Sequence, residues 1–74
     1  MSDLKKQRLL NTNKIKALLT LKGISRQSIT KKLNISYAGL NAKLNNVYNF
    51  SADELKILSD ILDVSIDYLY TDDL

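Results

Sequence analysis

Pairs of apolar residues four apart, each preceded by a residue able to cap a helix, recur along this chain and leave room for little besides short helices. Ser25 precedes Ile29 and Leu33; Ser36 precedes Leu40 and Leu44. Residues four apart stack on one face of a helix, so each pair makes one narrow apolar stripe. A Ser, Thr or Asn ahead of the stripe accepts a backbone N–H that the first turn cannot satisfy. Ser51-Ala-Asp-Glu54 is a capping box with acids in its first turn, followed by the stripe Leu55, Leu58, Ile61 and Leu62. Phe50, just before the cap, is placed as a hydrophobic staple on Leu55. Upstream, Thr12 or Asn13 caps a first helix carrying Ile15, Leu18 and Leu19, and Gly23 supplies a left-handed stop. Asn34 separates the second and third helices and suits the left-handed conformation of a tight turn. Ser65 is expected to cap a short fifth helix, Ile66 to Tyr70, with Val64 packing just before it.

With no proline and only two glycines, the chain lacks the frequent turn residues a strand meander needs. The expectation is an all-α, compact five-helix domain spanning residues 1–74, with its core at about 12–70. Residues 1–11 read two ways, as a basic arm bearing Lys5, Lys6 and Arg8 or as an extra helix bearing Leu4, Leu9 and Leu10. The tail from Thr71 is expected to fray. A chain this short buries only about 60% of its unfolded surface, so its apolar residues share one core and leave little space for an internal cavity.

Chemistry is narrowed by what the sequence lacks. It has no histidine and no cysteine, which removes the usual general bases, nucleophile pairs, disulfides and thiolate metal sites. The acid pairs Asp53-Glu54 and Asp72-Asp73 lack the alternating spacing of a calcium loop. No enzyme activity, cofactor, metal or small-molecule ligand is therefore expected. No apolar run is long enough for a membrane span or a signal-peptide core, and the expected location is the cytoplasm.

Charge is distributed unevenly. Residues 1–50 hold ten Lys or Arg against one acid, a net of +9, whereas residues 51–74 hold one base against seven acids, a net of −6. The first part calls for a polyanion partner and the second for a different role. Two short helices joined by Asn34 to Ser36, followed by a polar-faced helix, form a helix-turn-helix pattern. Ile29 and Leu33 would pack on Leu40 and Leu44, with Ile35 in the corner. The third helix, about 36–45, then keeps a free face of Tyr37, Ala38, Asn41, Ala42 and Asn45. None of these is acidic, so the face can approach phosphates.

The run Gly23-Ile-Ser-Arg-Gln-Ser-Ile-Thr-Lys-Lys-Leu-Asn-Ile-Ser-Tyr-Ala-Gly-Leu-Asn41 resembles the Cro and lambda-repressor-like helix-turn-helix family. Leu62-Asp-Val-Ser-Ile-Asp-Tyr-Leu69 is similar to that family's closing helices, and Lys43-Leu-Asn-Asn-Val-Tyr-Asn-Phe-Ser51 to small prophage regulators. The likeness covers about residues 13–70. Three positions depart from it: Thr30 stands where Ala is usual, Asn34 where Gly is usual, and Arg26 where Gln is usual. The resemblance implies a lambda-repressor-like DNA-binding fold whose third helix enters the major groove with its N-terminal residues on base edges. By position, Tyr37, Ala38 and Asn41 would face bases, with Ala42 and Asn45 nearby. Asparagine can pair bidentately with adenine, and alanine can touch a thymine methyl. Ser25, Arg26, Gln27, Ser36, Lys43, Asn46 and Tyr48 would meet phosphates at the helix N-termini and the following loop. Tyr37 could equally lay its ring on the domain and reach a phosphate with its hydroxyl.

The partner so implied is double-stranded operator DNA, bound by a transcriptional regulator. A complete chain of this length would be a Cro-type phage repressor, although a truncated repressor domain would look the same. A homodimer on two half-sites is expected, formed through the C-terminal helix with Tyr68, Leu69 and Tyr70. The alternative is a small helix-turn-helix protein that acts by binding another regulator, as an antirepressor or an antitoxin-like partner does.

Overall fold

A computed structural model of the chain describes residues 9–70. Four α-helices follow one another: α1 (Thr12–Lys22), α2 (Arg26–Leu33), α3 (Tyr37–Leu44) and α4 (Ala52–Leu62). A single 3-10 turn, Asp67–Leu69, closes the described chain. The architecture is all-α, as expected, with four α-helices in place of five.

Each helix starts where a side chain accepts an orphan N–H. Ser25, Ser36 and Ser51 accept from the backbone nitrogens of Ser28, Gly39 and Glu54 at 3.2, 2.9 and 3.1 Å. The Ser51 capping box is complete, because Glu54 Oε1 accepts from the Ser51 N–H at 2.9 Å. For α1 the cap is Asn11, whose Oδ1 accepts from Lys14 N at 3.0 Å, one residue ahead of the expected Thr12 and two ahead of the expected Asn13. Three of the four helices stop on left-handed residues, Gly23 at φ 68°, Asn34 at φ 58° and Asp63 at φ 58°, whereas α3 ends on Asn45 at φ −101°. A Cβ at Gly23 would meet nothing within 4 Å, so only its backbone conformation opposes a side chain. Gly23→Ala is thus expected to lower stability by about 1 kcal/mol, read as a shift in the urea midpoint with unchanged slope.

The apolar stripes meet in one core of Ile15, Leu19, Ile29, Leu33, Leu40, Leu44, Phe50, Leu55, Leu58, Leu62 and Leu69. Leu18, Ile35, Ile61 and Val64 pack on its margin. Thr30 fits beside the helix-turn-helix corner without an unpaired hydroxyl, since its Oγ1 donates to Gln27 O at 2.6 Å.

The expected fifth helix does not form. Ser65 Oγ still accepts from Tyr68 N at 3.1 Å, but the turn ends at Leu69 because Tyr70 is extended and bridges Leu10. Asn11 N donates to Leu69 O at 2.8 Å, tying the start of α1 to that turn. Neither an arm nor a helix therefore describes residues 9–11; Lys5, Lys6 and Arg8 lie outside the described residues, as does the tail from Thr71. The expected dimer surface also changes. Leu69 is 0% exposed and belongs to the core, and Tyr70 is half-buried, which leaves Tyr68 as the exposed member of the three. No helix among the described residues is long and apolar enough to cross a membrane.

Candidate nucleic-acid interface

Helix α3 is anchored from beneath by Leu40 and Leu44, at 0% and 1% exposure. Anchoring one stripe fixes which residues face outward. Tyr37, Ala38 and Asn45 are exposed, while Asn41 and Ala42 are half-buried on the same outer surface. Tyr37 is 51% exposed, so its ring is not folded into the core.

Cations from two other helices support this face. Arg26, the first residue of α2, donates from Nη1 to Asn41 Oδ1 at 2.6 Å. Lys16 of α1 donates from Nζ to Asn45 Oδ1 at 3.1 Å. Asn46, left-handed at φ 66°, donates from Nδ2 to Thr12 Oγ1 at 3.3 Å. The polar positions 41, 45 and 46 are thus each held by a side chain distant in sequence. Neither Lys16 nor Thr12 carries a sequence signal of this role, because the asparagines they meet lie 29 and 34 residues away.

The remaining expected contacts divide. Ser36 is exposed at the α3 N-terminus, with its hydroxyl accepting from Gly39 N–H. Gln27 is exposed in the first turn of α2, and Tyr48 is 65% exposed in the loop after α3. Lys43 is turned inward: its Nζ lies 2.6 and 2.8 Å from the two Glu54 oxygens, and its side chain is 18% exposed. It also sits over the Phe50 ring at 5.9 Å. This ion pair fastens α3 to the capping box of α4. Burial is the largest single influence on the Glu54 carboxyl and raises its pKa. The hydrogen bonds from Lys43 and the Ser51 N–H, with the Lys43 charge, together outweigh it and leave the group below its ordinary value.

The outer surface of α3 therefore carries amides, small residues and one tyrosine, flanked by Arg26 and Lys16 and free of carboxylates from Tyr37 to Tyr48. Such a surface can meet a polyanion and still read hydrogen-bonding edges. Among the described residues, no three His, Cys, Asp or Glu side chains gather to hold a metal ion. No curated protein and no solved structure matches the chain. The family model for the helix-turn-helix matches residues 15–69, from Ile15 at the heart of α1 to Leu69 in the closing turn. That span covers both helices of the motif, the packing that supports them and the amide-lined face of α3, and the chain belongs to the helix-turn-helix family of DNA-binding regulatory domains.

Proposed function

We propose that the chain is a sequence-specific transcriptional repressor of the Cro type, of phage or prophage origin, which acts by occupying operator DNA. The observation that carries this reading is the outward face of α3, which is exposed at its N-terminal end, lacks acids and is braced by Arg26 and Lys16. In this reading α3 lies in the major groove with Tyr37, Ala38 and Asn41 on base edges, and Ala42 and Asn45 beside them. Arg26, Gln27, Ser36 and Tyr48 flank the groove as phosphate contacts. Lys43 acts from behind, holding α3 on α4 through Glu54 rather than reaching phosphate. A homodimer on paired half-sites completes the reading, and exposed Ile66 and Tyr68 are the apolar side chains available at the C-terminal turn.

Selection from random duplexes, followed by a salt titration on the recovered site, tests it. Affinity should fall steeply with salt, with a slope reporting several displaced counterions. Asn41→Ala should flatten the preference at one base pair by about 1–3 kcal/mol while leaving the salt slope unchanged. Recovery of no preferred sequence, with DNA affinity still millimolar at low salt, would sink the proposal.

A further inference from the structure

Asn41 on α3 and Asn45, the residue that caps its C-terminus, are four residues apart, and each has its side-chain oxygen covered by a cation from another helix: Arg26 at 2.6 Å and Lys16 at 3.1 Å. The orientation of both amides follows from chemistry. Guanidinium and ammonium groups carry only donors, so the asparagine atom facing each must be the oxygen. What each asparagine keeps for a ligand is its NH2, a pair of donors.

That changes what the face can read. An unencumbered asparagine recognises adenine by accepting from N6 and donating to N7, which requires its oxygen. The oxygen retains a second lone pair. An adenine N6 donor using it, however, would be brought up against the positive charge already seated there. Guanine presents O6 and N7, two acceptors, to the same groove. A donor-only edge backed by positive charge is complementary to guanine and mismatched to adenine.

We infer that Arg26 and Lys16 are positioning residues that set base specificity, making Asn41 and Asn45 into donors so that α3 selects guanine where a free asparagine would select adenine. This rests on the reading of α3 as the base-contacting helix. Neither cation needs to touch a base for the effect.

The test is selection from random duplexes with the full chain and its variants, after circular dichroism confirms that each is folded. Asn41→Ala identifies the base pair read from that position, because preference there disappears. The unsubstituted chain should show guanine at that pair, and Arg26→Ala should turn the preference toward adenine, with a change in the guanine-to-adenine ratio on the order of tenfold. Arg26→Lys keeps a charged donor and should keep guanine. Lys16→Ala should make the same change at the pair lost in Asn45→Ala. Adenine at these pairs in the unsubstituted chain, or guanine that survives Arg26→Ala at full ratio, overturns the inference and leaves the DNA-binding reading standing. A chain that selects no sequence overturns both.

Discussion

Leu69→Ala is expected to lower the stability of the chain by about 3 kcal/mol, within the range for removing a fully buried leucine side chain. Leu69 is 0% exposed, and although it lies in a three-residue 3-10 turn near the end of the described chain, it completes the core shared by α1 to α4. Its backbone oxygen also accepts from Asn11 N–H at 2.8 Å, immediately before α1. The side chain thus sits under a junction that closes the chain on itself. A domain of this length holds only about 4–11 kcal/mol in total. Loss of 3 kcal/mol would then lower Tm by about 15 °C or more, read by calorimetry or circular dichroism.

The neighbouring residue provides the contrast. Tyr68 is 50% exposed, and its ring receives the Lys14 ammonium at 4.3 Å from the centroid while its backbone oxygen accepts from the same ammonium at 2.8 Å. Tyr68→Ala removes the ring contact alone, worth about 0.5 kcal/mol at an exposed site, and should move Tm by only a few degrees. If Leu69 were an interface residue, its replacement would change self-association by sedimentation and spare the monomer. A Leu69→Ala variant that melts with the parent chain would contradict its place in the core.

The two residues show why the described fold was legible from sequence only in part. Caps are local: Ser25, Ser36 and Ser51 each bond the backbone three residues on, so residue type and spacing suffice to find them. Where several capping types adjoin, as in Asn11-Thr12-Asn13, the choice depends on a distant partner, and Asn11 N–H is taken by Leu69 O. The same long-range closure shortens the last helix, because Tyr70 must extend to bridge Leu10. At the candidate site the outward face of α3 could be read from the stripe it leaves free. The cations bracing that face could not, since Arg26 and Asn41 are 15 residues apart and Lys16 and Asn45 are 29 apart. Their meeting depends on how helices cross, which no local pattern encodes. Lys43 follows the same rule: in sequence it is a cation beside the outward face of α3, and in space it pairs with Glu54 on α4.

Glu54→Ala is expected to cost about 2 kcal/mol, well above the effect of an ordinary surface acid, because one carboxylate serves two structural ends. Its Oε1 accepts from the Ser51 N–H, and its two oxygens take the Lys43 ammonium at 2.6 and 2.8 Å. With side-chain exposures of 18% and 14% for Lys43 and Glu54, solvent screens this pair less than a fully exposed one, and removing one partner leaves the other poorly solvated. The sign of the pH dependence follows from the lowered pKa of Glu54. Because the folded form holds the carboxylate more strongly than the unfolded chain does, its contribution is fully present above the unfolded-state pKa, about 4.3 for glutamate. It is lost as pH falls through the lower folded-state value. Denaturant midpoints measured from pH 6 down to pH 2 should therefore decline through the acid range, and Glu54→Gln should decline less steeply because it has no proton to take up there. Lys43→Met should behave similarly in pH slope while retaining the Ser51 cap, and so should be the milder of the two at neutral pH. An equal pH slope in the parent chain and Glu54→Gln would show that other carboxylates govern acid unfolding and that α3 is not fastened to α4 by this charge.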